Sequence, residues 1–201
     1  MRRLSLHKEG MRLTEIAGNL ARSLGVAHQI LPMSDQPVRS VVESAEGDLT
    51  FQDYFVRRRC EPDLRGLRFE GAAKACLSPE VAAAFANKDL KGVIICPSNP
   101  FVSIGPMFAV PGFRDALRKV AAPVLAVSPI VAGAAIKGPA AKMMTELGME
   151  ASALGVAPHY ASVIDALLID EQDRNALGVR TEIDPRLLVA PTIMANRPRR
   201  R

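Results

Sequence analysis

Gly92-Val93-Ile94-Ile95-Cys96-Pro97-Ser98-Asn99-Pro100-Phe101-Val102-Ser103-Ile104-Gly105-Pro106 decides how the rest of this sequence is read. Gly92 to Cys96 is a short apolar run rich in β-branched residues, the pattern of a strand buried on both faces of a parallel sheet. It runs straight into Pro97-Ser98-Asn99-Pro100, where Pro97 removes a donor and the two prolines bias Cys96 and Asn99 away from helix. In open α/β sheets ligands bind in the crevice outside the carboxyl ends of the strands. Ser98, Asn99 and Ser103 bring hydroxyls and an amide to that position, and Gly105 lets a ligand come close to backbone N–H groups. The plainer alternative is a turn whose Ser and Asn satisfy the local backbone; the strand before it favours a site.

Outward from this stretch, strand and helix patterns alternate. Ser78-Pro79-Glu80 opens a helix through Asn87, with Ser at the cap and Pro in the first turn. Gly112 to Val120 reads as a helix, Pro123 to Val127 as a buried strand, and Ser128 to Pro139 as a loop. Ala140 to Leu147 reads as a helix stopped by Gly148, Ser152 to Ser162 as short helix and turn, and Leu167 to Asp170 as a strand. Glu171 to Leu177 is a further helix, with Val179–Ile183 and Leu188–Ala190 as candidate strands. This alternation predicts an α/β fold: a doubly wound, mostly parallel, Rossmann-like sheet. Before it, 32–70 reads as a small irregular α/β subdomain. Its candidate strands are Val38–Ser44 and Leu64–Phe69, and a helix between them carries Phe51, Tyr54 and Phe55 on one face. Residues 1–10 show no cap. Thr14 then caps a helix ending at Gly25, followed by a strand over Val26–Leu31, as though a preceding strand were missing. The expected units are 1–31, a remnant of an N-terminal core; 32–70, a lid-like subdomain; 71–196, the α/β core; and 197–201, a basic tail.

At 201 residues, 48% hydrophobic and 23% charged, the composition is that of one folded domain with a substantial core. The net charge of +5 falls to about +1 without the four arginines of the last five positions. With aromatics scarce as well, nucleic acid is not the expected partner. Cys60, Cys76 and Cys96 are odd in number and lack paired spacing, which argues against disulfides or zinc and for the cytoplasm. Cys96 is expected in the core. No apolar run is long enough to suggest a membrane span.

Two successive buried strands thus end in Ser/Pro loops, Pro97–Pro100 and Ser128-Pro129-Ile130, and in a parallel sheet both face one crevice. Beyond the second loop, Lys137 and Gly138 stand at a helix start, with Lys142 a turn later. Backbone donors and a lysine there suit a phosphate, although the segment is no Walker A loop and no G-x-G-x-x-G occurs. His7, His28 and His159 have no ligand spacing, and neither H-E-x-x-H nor G-x-S-x-G is present. Asp35 and Arg39 either hold a substrate or pair with each other. Arg57-Arg58-Arg59 is either a solvated helix end or an anion contact.

LP-M-S-D-x-P-V-R at 31–39, L-T-F-Q-D-Y-F-V-R at 49–57, P-S-N-P-F-V-S-I-G-P at 97–106, V-S-P-I at 127–130, K-G-P-A-A-K-M-M at 137–144 and G-V-A-x-x-Y at 155–160 together resemble the 2-phospho-L-lactate transferase family of deazaflavin coenzyme F(420) biosynthesis. The resemblance runs from about residue 10 to 192. It implies transfer of a phospholactyl, phosphoenolpyruvyl or phosphoglyceryl group from a GDP-activated donor to the deazaflavin Fo. GMP is released, Mg2+ is the cofactor and the enzyme is a cytoplasmic homodimer. This is phosphoryl-transfer chemistry, in which positioning and charge neutralisation dominate. On this reading Ser98, Asn99, Pro100, Ser103, Gly105 and Ser128 cradle guanosine phosphates or Fo, Lys137 and Gly138 hold the anion, and Asp35, Arg39 and Arg57 approach from the subdomain.

The family's opening glycine-rich segment, with a Gly-Asp-x-Asp stretch that binds metal and Fo, has no counterpart here. The expectation is therefore a shortened member without its first strand or metal ligands, whose catalytic residues are unknown: first a transferase, or the C-terminal two-thirds of one, with inactivity through truncation left open. The alternatives are a non-catalytic guanosine-phosphate-binding relic or partner protein, and a generic nucleotide-binding module.

Overall fold

The computed structural model describes residues 2–135, 138–179 and 186–194. Helices α1 (Arg2–Lys8) and α2 (Leu13–Ser23) lead into a three-stranded antiparallel sheet. Its strands β1 (Arg39–Ser44), β2 (Gly47–Thr50) and β3 (Leu64–Glu70) lie in the order β2-β1-β3. After α3 (Pro79–Ala86) comes a parallel sheet of β4 (Val93–Ile95), β5 (Val124–Val127), β8 (Ala166–Ile169) and β9 (Arg186–Val189), in that spatial order. Between them run α4 (Gly105–Ala109), α5 (Phe113–Arg118), a hairpin of β6 (Ile130–Val131) and β7 (Ala134–Ala135), α6 (Ala140–Glu146) and α7 (Ala157–Tyr160). The α/β architecture with a parallel sheet is therefore as the alternation predicts.

Strand order follows chain order, the arrangement in which crossovers of one hand lie over one face of a sheet. Burial agrees. Ile95, Val124, Ala126, Leu167 and Ile169 share the main core with Leu117, Met143, Met144, Val156 and Tyr160, and with Val42, Leu49, Tyr54 and Leu64 of the antiparallel unit. On the opposite face Ile94 is 64% and Leu188 37% exposed. A strand buried on both faces is thus not what Gly92–Cys96 forms. It is an edge strand with one open face, and Cys96 just beyond it is exposed rather than in the core.

Other sequence expectations are also revised. Val26–Leu31 forms no strand, because among the described residues no neighbour pairs with it; Leu24 and Ile30 lie in solvent. The cap of α2 is not Thr14. The backbone N and Oγ1 of Thr14 both donate to Asp35 Oδ1 at 2.8 Å, so a carboxylate 21 positions away takes the helix-start donor. Arg2–Lys8 forms a helix that no cap signal announced. The 49–59 aromatics do not share a face: Tyr54 is fully buried, while Phe55 stacks on Phe51 and is 41% exposed. Residues 100–109, which the sequence reading left without an element, are helical, with prolines in the first turns of the two segments, where their missing donors cost nothing. Val179–Ile183 and the 197–201 tail fall largely or wholly outside the described residues.

Candidate functional site

At the carboxyl ends of the parallel strands a cleft of about 280 Å³ is lined by Pro97, Ser98, Asn99, Pro129, Thr192, Ile193 and Met194. The two Ser/Pro loops do face one crevice, as parallel strands require. The third wall is the segment after β9, which crosses back over the sheet edge. Thr192 is tied there to Asp170 at the end of β8, its backbone N at 2.7 Å and its hydroxyl at 2.9 Å from Oδ2. Gln172 N donates to the other oxygen at 3.1 Å. These donors, Thr192 N foremost, hold the buried Asp170 carboxyl down at about 2. Sequence reading passed over Thr192 to Met194. The signal was a third strand followed by Pro-Thr, Ala190-Pro191-Thr192, matching Cys96-Pro97-Ser98.

Each loop residue has a distinct role. Asn99 caps the π-helical turn Pro100–Ile104: its Oδ1 accepts from Phe101 N at 2.9 Å and Val102 N at 3.2 Å. Its Nδ2 meets Met143 Sδ at 3.3 Å. Asn99 is thereby committed to loop shape, and no protein partner takes the neighbouring Ser98 hydroxyl among the described residues. Pro100 is fully buried, and Ser103 is exposed outside the cleft lining. Gly105 is buried beneath β3, where an added Cβ would stand 2.9 Å from Phe69 Cζ; its bare backbone serves packing rather than a ligand. Ser128 is buried, its hydroxyl donating to Ile130 O and accepting from Ile130 N, both at 3.2 Å. Gly138 is exposed, and Lys137 lies outside the described residues.

The remaining candidates sit in other clefts. Asp35 and Arg39 line one of about 490 Å³ with Arg3, His7 and Gln36. Asp35 pairs with Arg12 at 3.1 Å rather than with Arg39. Thr14 and Arg12 hold its carboxyl below the ordinary range, against its partial burial. Arg57 lines a separate groove with Asp48 and Gln52 and pairs with Asp53 at 3.0 Å. Lys142 is engaged by Glu146 and by Pro62 O at 3.2 Å, so it braces the antiparallel unit against α6.

The Ser98 cleft has a polar floor, an apolar lip of Ile193 and Met194, and no charged side chain among the residues that line it. It can hydrogen-bond an oxygen-rich ligand and cover a flat apolar part. Among the described residues no group of three His, Cys, Asp or Glu could hold a metal ion. The Asp170 and Asp35 carboxylates are already occupied by Thr192 and Gln172 and by Thr14 and Arg12. These residues do not fit a magnesium centre.

The family described as 2-phospho-L-lactate transferase CofD matches residues 1–186. The 2-phospho-L-lactate transferase of Methanosarcina mazei is 42% identical over 172 residues, covering 86% of this chain and 55% of that protein. That of Methanothermobacter thermautotrophicus is 40% identical over 176 residues, covering 88% and 55%. The chain thus spans about half the length of the curated relatives it matches. Among solved structures, a UPF0052-family protein of Bacillus halodurans superposes with a TM-score of 0.61 at 13% identity, over 96% of this chain and 64% of that one. At that identity the likeness is one of fold.

Proposed function

This chain belongs to the 2-phospho-L-lactate transferase CofD family, and on that premise we propose that it serves coenzyme F(420) biosynthesis. The reaction is transfer of a phospholactyl, phosphoenolpyruvyl or phosphoglyceryl group from a GDP-activated donor to the deazaflavin Fo, with release of GMP. The observation that carries this reading is the Ser98–Asn99–Thr192 cleft at the carboxyl edge of the parallel sheet, in a chain whose family is described as 2-phospho-L-lactate transferase CofD. Ser98 and Thr192 suit the oxygens of a phosphate or ribityl chain, and Ile193 and Met194 suit a flat ring. Binding and orientation are what phosphoryl transfer asks most of a protein.

Charge neutralisation falls to Lys137 and Gly138, on the sequence reading, and to Arg3, His7 and Arg39 beside Asp35. Magnesium dependence is part of the proposal, but with no fitting ligand set among the described residues no step is routed through the ion. A homodimer in the cytoplasm completes the reading. Among the described residues no helix is long and apolar enough to cross a membrane, and Cys76 and Cys96 are free and exposed.

The test is titration of the purified chain with GDP, then incubation with Fo, the GDP-linked acid and Mg2+ while GMP is followed. GDP binding with GMP release supports the transferase. Binding without release supports the second reading, a guanosine-phosphate-binding relic or partner protein. No binding defeats both.

A further inference from the structure

The parallel sheet is covered on one side. Its strands lie in chain order. The helices between them, α5 with Leu117 and α6 with Met143 and Met144, bury these side chains in the same core as Ile95, Ala126 and Leu167. Alternate residues of a strand point to the opposite face. Strand pairing sets those residues in two rows: Ile94, Leu125, Ala166 and Arg186 across all four strands, then Val127, Leu168 and Leu188 across three. Ile94 at one edge is 64% exposed and Leu188 at the other 37%, and the apolar side chains between them are only partly buried. Cys96, two positions on from Ile94, is exposed as well. Arg186, at the β9 corner, is the one charged member of the two rows.

All-parallel sheets occur almost only with both faces covered, and the cover is helical. A contiguous apolar face left to water marks an interaction surface. The chain's own remaining residues are too few to close it. The longest run outside the described residues, 195–201, is seven residues, whereas four strands about 4.8 Å apart present a face about two helices wide. Relatives do carry the length for such a layer. The Methanosarcina mazei protein is matched over 55% of its length and the Bacillus halodurans structure over 64% of its chain, so each has a large portion with no counterpart here. The element that buries an open apolar sheet face is the apolar stripe of an amphipathic helix.

We propose that the open face of β4-β5-β8-β9 is a docking surface for one partner, an amphipathic helical layer formed by the part of the curated relatives that this chain does not span. The inference goes beyond the reaction under Proposed function and does not depend on it, since it rests on the sheet and on chain lengths. In the experiment the chain is co-produced with that part of the Methanosarcina mazei relative, once as a separate polypeptide and once joined by a flexible linker, so that weak docking is also read. Alkylation of Cys96 is followed by mass spectrometry, with the exposed Cys76 of the same molecule as internal control. Docking slows Cys96 roughly tenfold at about nine-tenths occupancy, because only undocked chain reacts, and leaves Cys76 unchanged. Ile94→Lys and Leu188→Lys, both at exposed positions, restore fast labelling of Cys96 while urea unfolding stays cooperative; Leu24→Lys, 81% exposed at the end of α2, does not. Labelling of Cys96 as fast in the linked protein as in the chain alone overturns the proposal. Protection that survives both sheet-face substitutions overturns it too, as does equal slowing of Cys76. Protection that appears in the chain alone as its concentration rises assigns the face to a second copy and likewise overturns it.

Discussion

Thr192 donates to Asp170 Oδ2 twice, from its backbone N at 2.7 Å and from its hydroxyl at 2.9 Å. That pair of hydrogen bonds to one buried oxygen is what brings the segment after β9 back over the sheet edge. Asp170→Asn places an amide where at least one N–H already points, leaving a buried donor unmet at a cost of about 1–3 kcal/mol. The wild-type carboxyl sits at about 2, below its ordinary 3.8. Its contribution to stability is therefore whole above that ordinary value and fades as pH falls toward 2. Urea unfolding at neutral pH should find the variant weaker, with the gap narrowing in acid; a gap independent of pH would contradict this account.

Ser98 and Asn99 should separate under substitution, although they are adjacent and both line the cleft. Asn99→Ala removes the cap on Phe101 N and Val102 N and costs about 1 kcal/mol. Ser98→Ala touches no internal bond and stays within about 0.5 kcal/mol of wild type, while it weakens GDP binding. Thermal melts paired with GDP titration read the two effects. Equal destabilisation by both would mean that Ser98 is structural.

The parallel sheet and its loop edge were legible in the sequence because β-branched runs ending in Pro/Ser are a local signal, and Val124–Val127 needed nothing else. Where the answer lay in a distant partner, local reading failed. Thr14 looked like its own cap, but Asp35 supplies the acceptor. Gly105 looked like room for a ligand, but Phe69 fills that space. Cys96 looked buried because a short apolar run carries no information on whether a second layer covers it. Asp35, Arg39 and Arg57 are separate from Ser98 for the same reason: a motif fixes a residue's neighbours in sequence, not which cleft it lines.

Lys142, one turn beyond the helix start read as a phosphate site, is engaged inside the fold. Its ammonium is held by Glu146 and Pro62 O, and Glu146 Oε2 in turn accepts from Leu64 N at 3.3 Å. Lys142→Met should cost about 1 kcal/mol by freeing that brace and leave GDP affinity unchanged. Loss of GDP binding with unaltered stability would instead make the lysine a ligand contact.

The β6–β7 turn contains a strain that one substitution can relieve. Ala132 has φ +49 and Gly133 φ +74, the signs that both central residues of a type I′ hairpin turn must adopt. A side chain in the left-handed region costs about 1–2 kcal/mol. Ala132 tolerates it because its N–H donates to both carboxylate oxygens of Asp173, at 3.0 and 3.2 Å. Ala132→Gly keeps that donor and removes the Cβ; against this, the unfolded chain gains freedom worth about 0.4–1 kcal/mol. The net expectation is a stabilisation of roughly 0.5 kcal/mol. Ala132→Asn, which accepts positive φ without the glycine's entropy, should do at least as well. Asp173→Ala should do the reverse, since it leaves the strained turn without its acceptor. Differential scanning calorimetry orders the three: both Ala132 variants should melt above wild type and Asp173→Ala below it. If Ala132→Gly melts lower than wild type, the turn is not strained in the way its backbone angles indicate.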